Sequence, residues 1–174
     1  MSHRSSRYSV CLALALAAPA AAQQRTFELG AFAKLALFDG SLGYDPAIGG
    51  GVRAGYYFAR NWMIEVDGAW VSASGGAFGD ARYAPFHVRV IRTKPQTGPA
   101  SLYLGAGYTH NEWSDGLSGG EDGVGALAGF RYHFSDQWAL RVDGTADFLP
   151  DPVDGAGDNW DWGVQLGVSA LLGR

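Results

Sequence analysis

The chain has 174 residues, with 26 Gly, 23 aromatic residues and only 17% charged residues. A single Cys excludes a disulfide scaffold and a Cys-based zinc site. A net charge of -4 leaves no basic footprint for nucleic acid, and 47% hydrophobic residues exclude wholesale disorder.

Residues 1–22 read as an export signal and not as part of the fold. Arg4 and Arg7 form a positive n-region, Val10 to Ala18 an apolar h-region, and Ala20 and Ala22 fit the small-residue rule for cleavage before Gln23. The apolar run of about 13 residues is too short to span a bilayer as a helix. Cys11 lies inside it, with Val10 where a lipoprotein anchor wants Gly, Ala or Ser. The expected mature domain, residues 23–174, carries eleven bases against seventeen acids.

From Thr26 the residues alternate with a period of two, the mark of half-buried strands. Eight segments carry it: 27–37, 48–58, 62–70, 84–91, 102–109, 124–134, 138–148 and 161–172. One face is apolar, as in Trp138, Leu140, Val142, Gly144, Ala146 and Phe148. The other carries charge and glycine, as in Arg141, Asp143, Thr145 and Asp147. The connections at 59–61 and 135–137 are short and that at 94–99 is moderate. Those at 39–47, 72–82, 110–122 and 149–160 are longer. Short and long connections alternate, which predicts an all-β fold: a transmembrane, eight-stranded, antiparallel up-and-down β-barrel. Strands of about 11 residues tilted about 45° cover roughly 25 Å, the height of an outer-membrane apolar band.

A motif repeats. Phe58-x-x-x-Trp62-x-Ile64-x-Val66-Asp67-Gly68 returns 76 residues later, four strands on, as Phe134-x-x-x-Trp138-x-Leu140-x-Val142-Asp143-Gly144. Each copy puts a Trp just after a tight turn and an acid on the face opposite the apolar residues.

Alternation alone does not say which face is inside; a soluble lipocalin-like ligand binder puts the apolar face in. Three features favour the reverse. The polar face mixes both signs of charge with many Gly, as a narrow lumen requires. Its candidate ion-pair network is Glu28, Lys34, Arg53, Glu65, Asp67, Arg89, Arg131, Arg141, Asp143, Asp147 and Asp161, with Arg53, Arg131 and Arg141 expected to pair with Glu65, Asp67 and Asp143. His87 and Arg89 share one inward face. Aromatics sit near the strand ends as candidate interfacial girdles: Phe58, Trp62, Phe134 and Trp138 at the tight end, Trp70, Tyr108, Phe148 and Trp162 at the other. The long connections are acidic, with Asp39, Asp45, Asp80, Glu112, Asp115, Glu121, Asp122, Asp151, Asp154 and Asp158 against Arg82.

With its leader, eight strands and repeated Phe-x-x-x-Trp pattern, the sequence resembles the outer-membrane β-barrel domain family, the small barrels similar to the OmpA membrane domain. The resemblance covers nearly all of the mature chain. It implies residence in the outer membrane of a double-membrane bacterium, contact with outer-membrane lipid and lipopolysaccharide, and insertion by the barrel insertion machinery. The chain departs from the family's frequent C-terminal aromatic, ending Ser169-Ala170-Leu171-Leu172-Gly173-Arg174.

Two constellations invite a chemical reading. His133, Ser135 and Asp147 have the residue types of barrels that deacylate lipid A. Ser135, however, falls in a tight turn and Asp147 lies some 30 Å up the next strand at about 3.3 Å per residue, beyond hydrogen-bond reach. Residues 151–159 are acidic and Gly-rich but lack the spacing and closing Glu of a calcium loop. The expectation is therefore no enzyme, no metal and no cofactor. The role expected is structural or surface-interacting in the envelope. A narrow passive pore or a carrier of small hydrophobic compounds is the alternative, and a lipid A-modifying enzyme the remote one. The sequence gives no signal of oligomeric state.

Overall fold

A computed structural model describes residues 26–38, 43–75, 79–94, 97–116, 118–151 and 159–173. The leader at 1–22, Asp39, Asp154 and Asp158, and most of the candidate calcium loop, lie outside these residues. Eight strands follow one another: β1 (Phe27–Leu37), β2 (Ala47–Ala59), β3 (Trp62–Ala73), β4 (Ala81–Thr93), β5 (Ala100–Asp115), β6 (Gly119–His133), β7 (Trp138–Phe148) and β8 (Trp160–Leu172). Each pairs antiparallel with the next, and β1 pairs β8 from Phe27↔Leu172 to Leu37↔Trp162, so the sheet closes on itself. Closure leaves no free edge, so the backbone groups of each strand face a neighbour on both sides, the condition for crossing hydrocarbon, with a bulge between Tyr57 and Ala59 in the β2–β3 ladder.

The period of two decides the faces. Along β7 exposure alternates residue by residue: Leu140 and Val142 face out, while Arg141, Asp143 and Asp147 are buried. The same inversion runs round the barrel, with Leu104, Val124 and Leu166 exposed and Glu28, Arg53, Glu65 and Arg89 buried. Apolar residues face outward and charge lines the interior, the reverse of a soluble barrel.

Glycine makes the interior possible where side chains crowd. A Cβ at Gly129 falls 2.4 Å from the Tyr103 ring and 2.3 Å from Asp143 Oδ1. Only a residue without Cβ lets Tyr103 lie across β6.

Residues 110–122, expected as a long connection, are mostly strand. β5 runs on to Asp115 and β6 begins at Gly119, with Asp115 in the left-handed region at φ 73°. The hydrophobic period fades there because His110, Glu112, Ser114 and Asp122 face out where the wall no longer needs to be apolar, yet the ladder continues from Thr109↔Gly123 to Trp113↔Gly119. Glu112, Asp115, Glu121 and Asp122 are therefore strand residues, and Glu121 is turned inward and buried.

Candidate functional site

The distinctive chemistry lies in the lumen. In the half near the tight turns it centres on Arg141, from the middle of β7. Its Nη1 donates to Glu65 Oε2 at 2.6 Å and Glu28 Oε1 at 2.8 Å, and its Nε donates to the Tyr103 hydroxyl at 2.9 Å. Tyr103 in turn donates to Asp143 Oδ1. Arg53 Nη1 donates to Asp143 Oδ2 at 2.6 Å and its Nη2 to Gln165 Oε1 at 3.0 Å. Arg131 Nη2 lies 2.8 Å from Glu28 Oε2, and its Nη1 donates to Tyr57 at 2.5 Å. Two guanidiniums approach the Tyr103 ring, that of Arg131 at 5.0 Å and that of Arg141 at 4.8 Å from its centre. Charge-assisted bonds and cation–π contacts offset the desolvation of so many ions.

At mid-height β3, β4 and β7 build a second cluster. Asp67 and His87 are ladder partners, and His87 bridges two carboxylates: Nδ1 is 2.9 Å from Asp67 Oδ1 and Nε2 is 3.1 Å from Asp147 Oδ2. Arg89 Nη1 donates to Asp67 Oδ2 at 2.6 Å and its Nη2 lies 3.6 Å from Asp147 Oδ1. The sequence places Asp67 among the expected partners of Arg53, Arg131 and Arg141, and it stands directly beside Arg53 in the ladder. It is instead taken by Arg89 and His87. Arg53 reaches across to Asp143, because a guanidinium on a long stem spans a lumen that an Asp cannot.

Lys34 and Asp161 are buried but belong to no ion pair within 4 Å among the described residues. Lys34 Nζ lies 5.5 Å from the centre of the Tyr83 ring, and Asp161 accepts from Tyr83 at 3.2 Å and Asn111 Nδ2 at 3.1 Å.

An apolar stopper closes the loop end. Trp113, 1% exposed, stacks with Tyr44 at 5.7 Å and tilts against Tyr83 at 4.7 Å, while Phe38 meets Tyr83 edge-on at 5.3 Å. Trp113 Nε1 donates to Glu121 Oε2 at 3.0 Å. Sequence reasoning missed this group. Its signal is the alternation of Thr109, Asn111 and Trp113, which continues past the apolar band into the segment expected as a connection.

On the outer wall Phe58, Trp62, Phe134 and Trp138 are exposed around the tight-turn end, and Trp70, Tyr108 and Trp162 around the other. Phe148 is half-buried against Trp160, 5.1 Å between ring centres. Beyond Tyr108 the wall turns polar. Tyr108 donates to Asp122 Oδ1, and His110 Nδ1 lies 2.8 Å from the same oxygen. The Tyr108 hydroxyl and then the His110 ring hold the exposed Asp122 carboxyl below its ordinary range.

His133, Ser135 and Asp147 are not brought together. The Ser135 hydroxyl accepts from the backbone N–H groups of Gln137 and Trp138 in its own turn, at 3.3 and 3.1 Å, while Asp147 serves the His87 cluster. Among the described residues no group of three or more His, Cys, Asp or Glu is placed to hold a metal ion.

A closed eight-stranded sheet with an apolar outer wall and a charged interior narrows the kinship, and the outer membrane protein beta-barrel domain matches residues 8–170. The chain belongs to that family. This outer-membrane barrel is similar to Neisserial surface protein A, with 18% identity over 87% of this chain and 98% of that one and a TM-score of 0.65. It is similar also to OprG of Pseudomonas aeruginosa, with 14% identity over 87% and 97% and a TM-score of 0.62. The N-terminal barrel of OprF from the same organism gives 15% identity over 86% and 98% and a TM-score of 0.60. At such identities the likeness is one of fold. No curated protein matches the chain. The family and the fold place it in the bacterial outer membrane, as a barrel of the envelope.

Proposed function

We infer that this outer-membrane barrel is a closed structural element of the envelope that presents its loop-end rim for surface interaction, and is not a conducting pore. The supporting observation is the filled lumen: the Arg141 and Arg89 networks with the Trp113–Tyr44 stack above them. Eight strands leave an interior just wide enough for side chains, and these side chains are locked to one another. The lumen ion pairs fix the arrangement of opposite strands, a use of buried charge better attested than net stabilisation. The aromatics at each end serve as girdles at headgroup depth, with the tight turns in the periplasm. Outer-membrane lipid and lipopolysaccharide then contact the wall, and the barrel insertion machinery delivers the chain.

The described rim carries Asp45, Asp80, Glu112, Asp115, Asp122 and Asp151 against Arg82, which pairs with Asp115 at 3.2 Å. That charge suits a cationic partner. Ail of Yersinia pestis, a related barrel, is solved with the heparin analogue sucrose octasulfate; this rim repels such a polyanion. Planar bilayer recording tests the reading: the purified barrel gives no sustained single-channel steps. Regular steps overturn it in favour of a narrow pore.

A further inference from the structure

The motif repeat puts two glycines, Gly68 and Gly144, on the outer wall of β3 and β7, four strands apart. Neither is crowded: a Cβ at Gly68 comes no nearer than 3.7 Å to a neighbour and one at Gly144 no nearer than 3.9 Å. Each lies in a lateral groove, one of about 630 Å³ beside Gly68 and one of about 710 Å³ beside Gly144.

The grooves differ at their ends. That at Gly68 opens toward Trp70 and Phe86, and its charged neighbours Arg53 and Asp67 are turned into the lumen. That at Gly144 is floored by Ala128 and Gly144, walled by Leu104 and Phe130, and ends at Arg92 and Lys94. Arg92, Leu104, Ala128 and Gly144 are successive ladder partners across β4, β5, β6 and β7. Arg92 is the penultimate residue of β4 at the tight-turn end, whereas Gly144 is in the middle of β7. Because barrel strands tilt, the row climbs from the tight-turn interface toward mid-membrane. Both bases are exposed; Arg92 lies over the Trp62 ring at 5.4 Å, and neither pairs with an acid among the described residues.

We propose that this groove is a binding site for one phospholipid of the periplasmic leaflet with an anionic headgroup. Arg92 and Lys94 hold the phosphate at the interface, and one acyl chain lies along Leu104 and Phe130 over the Ala128–Gly144 floor. The inference rests on the outer-membrane placement and on the periplasmic orientation of the tight turns proposed above, and not on the role proposed for the rim. The slant and depth of the groove match a chain running from headgroup to bilayer centre, and the paired bases complement negative charge. The Gly68 groove, apolar but without such bases, is the internal control.

Native mass spectrometry of the folded full chain, released from detergent after titration with phosphatidylglycerol or phosphatidylcholine of identical chains, tests this. The barrel retains one phosphatidylglycerol in clear preference to phosphatidylcholine. R92Q/K94Q abolishes the preference, each lost charge weakening phosphatidylglycerol about fivefold. Ala128→Leu with Gly144→Leu weakens both lipids, and Gly68→Leu leaves the preference intact. Heat-modifiable migration on a gel reports folding for every variant, and if the filled groove does not fold, R92Q/K94Q decides alone. Equal retention of the two lipids, a preference that survives R92Q/K94Q, or a dimer that buries this face and excludes lipid overturns the proposal. In the bilayer recordings a conducting barrel with intact lipid preference overturns the proposed function alone.

Discussion

Glu65 and Arg141 occupy equivalent places in the two copies of the Phe-x-x-x-Trp motif, on strands four apart, and they meet across the lumen at 2.6 Å. Four strands are half of a closed ring of eight, so the repeat sets one copy opposite the other. Opposite charges at the matching position turn that relation into a crosslink, and Glu28 and Tyr103 complete it.

Removing one partner is expected to cost far more than removing both. Glu65→Ala leaves Arg141 buried with less compensation and lowers stability by about 3–5 kcal/mol, the scale of broken buried pairs. Glu65→Leu combined with Arg141→Met recovers most of the loss. Urea midpoints of the folded barrel in lipid vesicles read the difference, and a double variant as unstable as the sum of its singles refutes the coupling.

The two kinds of glycine should respond oppositely. Gly129→Ala drives a Cβ into the Tyr103 ring and Asp143, and overpacking of this sort costs about 1–3 kcal/mol. Gly144→Ala meets open wall and is expected to be nearly neutral. Thermal or urea unfolding of the two variants distinguishes them.

Depth on the outer wall governs the cost of charge. Val142 stands midway along β7, between the Trp138 and Phe148 ends, so Val142→Arg costs about 2–4 kcal/mol. Glu112→Arg, beyond Tyr108 on the extended hairpin, costs about 0–1 kcal/mol. Equal costs at the two sites mean that the apolar band has been placed wrongly.

The extended hairpin should loosen in acid. The carboxyl of Asp122 is held below its ordinary range by Tyr108 and then His110, so its contribution is present above the unfolded carboxylate value and fades as pH falls through the lowered one. Hydrogen exchange of the Gly119–Gly123 amides, measured as pH is lowered, should show faster opening in the wild type. Tyr108→Phe, which removes the leading cause, should flatten that dependence.

Replacing the stopper tests the upper lumen. Trp113→Ala empties the stack beneath Tyr44 and costs about 3–5 kcal/mol as a large-to-small core change. Conductance stays absent, because the Arg89 and Arg141 networks still fill the lumen below. Steps appearing with Trp113→Ala alone assign the whole barrier to the aromatic group.

The residue order by itself marked the eight strands within the apolar band and separated their two faces. The period of two in Trp138–Phe148 marks the same strand in the structure, and alternating short and long connections imply the meander. These are local properties: each side chain's face follows from the pleat, and a strand carries that information within a few residues. Pairing across the lumen is not local. Arg53 stands beside Asp67 in the ladder yet bonds Asp143, 90 positions away, and His87 joins carboxylates from two further strands. The four-strand repeat sets Glu65 opposite Arg141, but which of the facing carboxylates each guanidinium reaches depends on how far the ring of strands brings opposite walls together, and the order of residues along the chain does not encode that distance. The same holds for the upper end of β5 and β6: once the wall leaves hydrocarbon, hydrophobic alternation stops marking the strand, and only the ladder and the Trp113 group it buries reveal that the barrel continues.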